Sequence, residues 1–328
     1  MGLTNRVNNQ LKVTEDKLDK NRIRKRDKAD KATVDDCLDD RTMTVMNKLL
    51  SNEKLTEFGG CIATGKEANV YMGHGSWDFV TRTPFDIDEE TFEIPVKDYA
   101  IKIFKTSVQT FKDRERYVQG EFRFRHGGYK KNPRKMIRMW AEKEVRNLKR
   151  IGEPGCLIPV PYPHYLKNNV IVMDFLGKKD GTAAPRLRDA NLEDWSSAYE
   201  QTLLILRRLY TRCRLIHADL SEYNLLYHND TVYVIDVSQS VEHDHPMSLD
   251  FLRRDCSIMR DFFVRKLDRV LTTQATFDFV TDISIANDTE EDLLQTLLEN
   301  LAEQTIEEYE EKIAKDAVFK EMYIPRTL

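Results

Sequence analysis

The chain has 328 residues, 41% of them hydrophobic and 32% charged, with a formal net charge of -4; that length buries a substantial core and suggests two lobes, and so balanced a charge decides nothing about nucleic acid except through local patches. No apolar run reaches the ~18 residues of a membrane span, the polar start lacks a signal-peptide core, and Arg6 stands where a myristoylation motif wants Ser or Thr. Five cysteines, at positions 37, 61, 156, 213 and 256, form no Cys-x-x-Cys pair, which argues against a disulfide framework or zinc site and predicts that most are small core thiols in a soluble protein of a reducing compartment.

Residues 1 to about 31 are polar and charged, with Arg22, Arg24, Lys25 and Arg26 clustered. They read either as a solvated arm or as a contact for RNA or a targeting receptor. From Thr33 to Leu50 the residues Val34, Cys37, Leu38, Val45, Met46, Leu49 and Leu50 resume helical spacing, which predicts one or two short helices docked on the body. Phe58 to Tyr71, FGGCIATGKEANVY, nearly spells a P-loop at Gly60-x4-Gly65-Lys66. A P-loop, however, needs Ser or Thr after the lysine and then a helix. Here Glu67 follows, and Asn69-Val70-Tyr71-Met72 alternates as a strand does. Strand, turn at Gly65 and second strand describe instead a hairpin that covers a nucleotide, with backbone N–H groups near phosphate and Lys66 adding charge.

Residues 74 to 97, with Pro84, Pro95 and several acids, read as a loop insertion. Tyr99 to Phe104 then alternates around Lys102. Residues 105 to 138 carry eleven Lys or Arg against three Asp or Glu, interleaved with Phe111, Tyr117, Phe122, Phe124 and Tyr129. Such a stretch is either a solvated insertion or a surface that binds phosphates and stacks bases. Between Met136 and Ile151 the residues Ile137, Trp140, Ala141, Val145, Leu148 and Ile151 keep a helical period, and Glu144 projects from their apolar face while Glu142 points to water. An acid on a buried face is costly unless paired. Pro159 to Tyr165 and Asn169 to Asp174 look like two strands, with Asp174-Phe175-Leu176-Gly177 following as a hinge and Gly181 and Pro185 as crossing residues. Asn191 to Arg214 is read as a helix capped at Asn191, with Glu193 and Asp194 in its first turn and Leu203, Ile205, Leu206, Leu209, Tyr210 and Cys213 buried.

Leu215 to Asp236, LIHADLSEYNLLYHNDTVYVID, is the stretch the rest serves. Two apolar runs flanking Asn229-Asp230 read as a β-hairpin, with Asn224 at its entrance, Asp236 at its exit and Asp219 on the loop before it. An amide oxygen and a carboxylate held together suit Mg²⁺, and a second carboxylate beside them can accept a proton from an attacking hydroxyl. Ser248 follows only twelve positions after Asp236 and starts a helix through Leu249, Phe251, Leu252, Cys256, Met259, Phe262 and Phe263; no Ala-Pro-Glu motif appears. A last pair of helices follows, the clearer from Glu290 to about Ala317 with Leu294, Leu297, Leu298 and Leu301 as its core stripe and its acids as a solvated face.

The spacing His217-x-Asp219-x4-Asn224, followed by a metal-binding Asp236, is the catalytic-loop pattern of the protein-kinase fold. In that pattern Lys102 pairs the phosphates and Glu144 positions Lys102. His217 to Asn224, Ile235 to Ser240 and the loop ATGKEANVY together resemble the RIO family of atypical kinases, in its first branch and eukaryotic type. Ala218 stands where ordinary kinases carry Arg, and Val237-Ser238 replaces the Phe-Gly after the metal aspartate. The resemblance runs from about Thr33 to Arg326 and implies an α+β, bilobal, protein-kinase-like (RIO) fold. Its N-lobe would be β-rich, its C-lobe α-rich and a regular activation loop absent, with ATP and Mg²⁺ in the cleft and Mn²⁺ as a substitute. It assigns residues 1–32 to a charged arm, 33–57 to a helical extension, 58–177 to the N-lobe with a basic insertion at about 105–135, and 178–328 to the C-lobe.

The same resemblance implies catalytic roles for Asp219 and Asp236 and metal ligands at Asn224 and Asp236. It implies nucleotide contacts at Thr64, Gly65, Lys66, Glu67, Ala68, Val70, Lys102, Glu144, Met173, Asp174 and Leu176. The expected work is late maturation of the small ribosomal subunit, on the pre-40S particle, its rRNA and assembly factors. No membrane partner is expected, and the setting is cytoplasmic with shuttling to the nucleus. The reaction stays open between serine/threonine phosphorylation and an ATPase switch that transiently phosphorylates Asp236; a non-catalytic nucleotide-sensing scaffold or RNA-binding module is the alternative class.

Overall fold

The computed structural model describes residues 37–75, 97–106 and 133–322. Expectations for the N-terminal arm, the 76–96 stretch, most of the basic insertion and the last six residues fall outside them. The described chain forms two compact units. The first is drawn from residues 37–75, 97–106, 133–145 and 162–183, the second from 146–161 and 184–322.

The first unit is a five-stranded antiparallel sheet. Its strands are β1 (Glu57–Thr64), β2 (Ala68–Gly75), β3 (Lys97–Phe104), β4 (Pro163–Lys167) and β5 (Val170–Asp174), in the order β1-β2-β3-β5-β4. Helix α1 (Asp40–Ser51) begins at Asp39, whose carboxylate accepts the Thr42 N–H at 2.8 Å and so satisfies one orphan donor of the first turn. One face of α1 packs Val45, Met46 and Leu49 into a core with Leu55, Phe58, Tyr71, Tyr99, Ile101, Ile103, Val170 and Val172. Each of these large side chains contributes about 1.5–3 kcal/mol by leaving water. Gly73 makes that packing possible, since a Cβ there would meet Ile101 Cδ1 at 2.5 Å. The described part of the unit also holds residues 133–145 of helix α2 (Pro133–Ile151), with Ile137, Trp140, Ala141 and Val145 buried.

The second unit is mainly helical and holds the C-terminal part of α2, then α3 (Trp195–Thr211), α4 (Ser248–Phe263), α5 (Thr273–Thr281), α6 (Glu290–Glu303) and α7 (Ile306–Glu321). Two short ribbons stand among them: β6 (Leu215–Ile216) with β9 (Val241–Glu242), and β7 (Leu225–His228) with β8 (Thr231–Val234). Helix α3 buries Leu203, Ile205, Leu206 and Leu209. Trp195 and Tyr199 on it meet Phe263 of α4, with ring centroids 6.4 and 4.9 Å apart.

The structure corrects three expectations. Helix α3 is capped by Asp194, whose carboxylate accepts the Ser196 N–H at 2.8 Å, and not by Asn191. The segment from Glu290 to Ala317 is two helices, because Thr305 and Glu308 form a capping box that starts α7 afresh. Arg269 donates to the Leu301 and Ala302 carbonyls where α6 ends, at 3.2 and 3.3 Å. Finally, the acids of this region are not all a solvated face. Glu290 is buried against Arg207, Arg208 and Arg212 of α3 and its C-terminal end. Asp316 is buried and accepts the Thr273 and Gln274 N–H groups at the start of α5, at 3.0 and 2.8 Å.

Candidate active site

Lys102 sits mid-strand in β3, between Val70 of β2 and Ile171 of β5. Its ammonium lies 2.7 Å from Glu144 Oε1, and the two side chains are 11% and 2% exposed. The helical phase that aims Glu144 into the apolar face of α2 therefore brings it to a cation, which is what lets a carboxylate survive so little water. Glu142, two positions earlier, lies on the outer face and bonds Arg138 at 2.7 Å.

The turn between β1 and β2 is tight. Thr64 pairs with Asn69, and the Gly65 N–H donates to the Ala68 carbonyl at 2.9 Å. The Gly65 amide thus closes the turn. Glu67 is tied to the end of β3 through the Lys105 N–H, which donates to its carbonyl at 2.8 Å, while Lys66 stays exposed. Ala68 is buried opposite Phe104, and Val70 is half-buried opposite Lys102. On β5, Met173 is buried. The Asp174 carboxylate accepts the Tyr162 N–H at 3.0 Å and lies 2.5 Å from His164 Nε2, so its side chain holds the strand entry of β4. Leu176 follows, half-buried.

In the second unit, β6 and β9 hold the two ends of the loop-and-hairpin stretch, with Ile216 paired to Val241. Asn229 and Asp230 both take positive φ, 47° and 56°, the backbone that a two-residue turn of matching twist requires. The Ile235 N–H donates to the Asn224 carbonyl at 3.0 Å, so the residues just before β7 and just after β8 stay together. The Asn224 amide nitrogen donates to the Asp219 carbonyl at 2.8 Å, which turns its oxygen away from that bond. Buried His217 places Nε2 3.2 Å from the Ile235 carbonyl. Asp236 stands in the left-handed region, φ 59° and ψ 55°, and Ser238 Oγ donates to its Oδ1 at 3.3 Å. Burial raises the Asp219 carboxyl above the usual carboxylate range and the Asp236 charge adds to the rise, while His217 and Arg254 oppose it.

Two residues that sequence reasoning missed belong to this architecture. Asp255 of α4 is fully buried and accepts the Ala218 and Leu220 N–H groups at 2.8 and 3.0 Å, one on each oxygen, on either side of Asp219. Its signal was present: Asp255 follows Phe251 by four positions and precedes Met259 by four, an acid on an apolar face just as Glu144 is. Asn147 of α2 donates from Nδ2 to the Val237 carbonyl at 2.8 Å. Nothing in the sequence alone marks it.

Chemically, the first unit offers a buried ammonium held by a carboxylate. The second offers the Asn224 amide oxygen, the Asp236 carboxylate two positions after β8, and the further carboxylate of Asp219 on an anchored loop. Hard oxygen donors of this kind fit Mg²⁺.

A family model described as the RIO domain matches residues 85–276. The chain is 47% identical over 328 residues to serine/threonine-protein kinase rio1 of Dictyostelium discoideum, covering 99% of this chain and 53% of that protein. It is 47% identical over 322 residues to serine/threonine-protein kinase RIO1 of Homo sapiens, covering 97% and 53%. The Saccharomyces cerevisiae protein of that name is 42% identical over 349 residues, covering 100% and 70%. Among solved structures, a Rio2 kinase-ADP/Mg²⁺-phosphoaspartate complex from Chaetomium thermophilum is similar with a TM-score of 0.49 at 19% identity, covering 85% of this chain and 75% of that one. The chain spans about half the length of the first two relatives. With a family match over residues 85–276 and such identity along nearly its whole length, the chain belongs to the RIO family, in the branch of the Rio1 proteins, and its five-stranded and helical units are those of the family's kinase-like fold.

Proposed function

We propose that this chain transfers the γ-phosphoryl group of ATP with Mg²⁺, as an atypical serine/threonine kinase with ATPase activity. The observation that carries the reading is the hairpin closure. One hydrogen bond, from the Ile235 N–H to the Asn224 carbonyl, keeps an amide and the following Asp236 carboxylate together, on a loop that also carries Asp219. The donor set fits the cation, and Mn²⁺ accepts the same oxygens as a substitute. Asn224 and Asp236 would hold Mg²⁺, which would supply positive charge against the negative charge that develops on the phosphate.

The chain's own residues take the other roles. Asn224 and Asp236 hold the metal, and Asp219 takes the proton from an attacking hydroxyl. The Lys102 ammonium pairs the phosphates, and Glu144 keeps it in position. Thr64, Gly65, Lys66, Glu67, Ala68 and Val70 form the hairpin that covers the nucleotide. Met173 borders the base, and backbone groups of Asp174 and Leu176 bind it. Family membership supports this assignment.

Two reaction courses are compatible with these groups. In one, a serine or threonine hydroxyl attacks the γ-phosphorus, its proton passes to Asp219 and ADP leaves. In the other, the Asp236 carboxylate attacks, an acyl phosphate forms as ADP leaves, and water later cleaves it. Single-turnover reaction with γ-labelled ATP separates them. Label that resists acid and hydroxylamine on serine or threonine supports the kinase, and hydroxylamine-labile label supports the switch. Wild-type chain that neither turns over nor takes up label overturns the proposal in favour of a nucleotide-sensing scaffold or RNA-binding module. The further proposal is that this activity serves late maturation of the small ribosomal subunit, in the cytoplasm with shuttling to the nucleus, on the pre-40S particle with its rRNA and assembly factors. Membership of the Rio1 branch supports it.

A further inference from the structure

The proposed metal ligand Asp236 sits in an uncommon backbone conformation. Asp236 holds φ 59°, in the left-handed region that side chains rarely adopt, although aspartate enters it more readily than most. Such a turn persists only where its flanks are tied down. On the N-terminal flank, His217 Nε2 lies 3.2 Å from the Ile235 carbonyl and the Ile235 N–H reaches Asn224. On the C-terminal flank, the Val237 carbonyl takes the Asn147 Nδ2 donor at 2.8 Å. Within the turn that carbonyl accepts the Ser240 N–H at the longer distance of 3.3 Å. Val237 is fully buried, so its carbonyl finds little water to replace a missing donor.

Asn147 is also an unfavourable choice for its place. It lies in the last turns of α2, where asparagine is a poorer helix former than alanine. One turn on, Arg150 pairs Glu242 at 3.2 Å, so this face of α2 grips the segment after Asp236 at two points. The Arg150 pair is partly exposed and worth little. The Asn147 bond is the better sheltered of the two.

We infer that Asn147 is a positioning residue for Asp236: it fixes the turn that aims this carboxylate at Mg²⁺, and thereby sets metal affinity without touching metal or nucleotide. The inference rests on the proposed Mg²⁺ site. Groups that orient a metal ligand from behind typically matter about tenfold or more in metal affinity.

The test measures binding, not turnover. A fluorescent, non-hydrolysable ATP analogue is titrated into the full chain with and without Mg²⁺, and melting temperature is read on the same samples. In the wild type Mg²⁺ tightens binding. In Asn147→Ala and in Asn147→Leu, which keeps the volume and lacks the donor, the Mg²⁺-free affinity stays unchanged while the Mg²⁺-dependent gain falls about tenfold. Asn147→Gln, which keeps a donor amide, retains part of the gain. Variants that keep the full gain overturn the inference and leave the metal site standing. A parallel loss of Mg²⁺-free affinity shows a merely structural role and overturns it as well. A wild type with no Mg²⁺-dependent gain overturns the proposed metal site itself, and this inference with it.

Discussion

Ala218 takes φ 66° without being glycine, and its N–H donates to Asp255, as does that of Leu220. Asp255 thus offsets the strain of the loop that presents Asp219. Burial pushes the Asp255 carboxyl up from the usual 3.8 to about 8, more than its two backbone donors pull it down. The folded chain therefore keeps a proton that the unfolded chain releases near pH 3.8. This contribution to stability is complete below that pH and is lost as pH rises to about 8, at up to about 1.4 kcal/mol per unit. Asp255→Asn has no such proton. Its melting temperature should fall furthest below wild type at about pH 4, and the gap should narrow steadily as pH rises to about 8; a constant difference across that window refutes the linkage. Lys102→Ala takes the ammonium from a carboxylate that is 2% exposed, and should cost about 3–5 kcal/mol in denaturant unfolding. Adding Glu144→Leu should restore most of that stability and none of the ATP turnover. Restored turnover in the double variant would remove Lys102 from the phosphate-binding role.

Between elements, buried charge joins the last helices of the second unit. Glu290, the first residue of α6, meets Arg208 Nε at 2.7 Å, Arg212 Nη2 at 2.6 Å and Arg207 Nε at 3.6 Å. The Arg207 guanidinium also donates to the Phe279 carbonyl at 2.5 Å and the Ile285 carbonyl at 2.9 Å, so it ties α3 to the end of α5 and to the connection after it. Removing one partner of a buried ionic cluster leaves the others uncompensated. Glu290→Ala should therefore lose about 3–5 kcal/mol of unfolding free energy. Thr305→Ala, which removes only the cap of α7, should lose about 1 kcal/mol. Equal effects in thermal or denaturant melts would mean that the cluster is solvated and weak. Helix α7 depends on Asp316 in the same way, since this acid serves as a second cap for α5.

Across the described chain, the residues of the proposed site fall in both units. Lys102 and Glu144 belong to the first, and Asp219, Asn224 and Asp236 to the second, while helix α2 contributes residues to each. The basic and aromatic stretch between β3 and α2 lies mostly outside the described residues, and its proposed partner is rRNA. Neutralising Arg123, Arg125, Lys130 and Lys131 removes four positive charges. For every phosphate that no longer meets a cation, the slope of log affinity against log salt should become shallower by about 0.7 to 0.9. Filter binding to a small-subunit rRNA fragment over a salt series reads both affinity and slope. An unchanged affinity and slope would return the stretch to a solvated insertion.

Residue order settles whatever depends on neighbours along the chain. Period two around Lys102, period 3.6 around Glu144 and the Asn229-Asp230 turn each set local geometry. So β3, α2 and the β7–β8 hairpin were legible, and with them the places of Lys102, Glu144, Asn224 and Asp236 on or beside those elements. Helix limits were less so: Asp194 rather than Asn191 caps α3, because several capping residues stood in line and only the folded backbone selects one. Which polar side chains end up buried against distant partners became visible only in three dimensions. Glu290 and Asp316 looked like part of an acidic surface until three arginines and a helix start were brought to them. Asn147 looked like any helical asparagine until the Val237 carbonyl came within 2.8 Å. A buried polar group is stabilised by its partner and not by its own position in the chain, and that partner can lie ninety residues away.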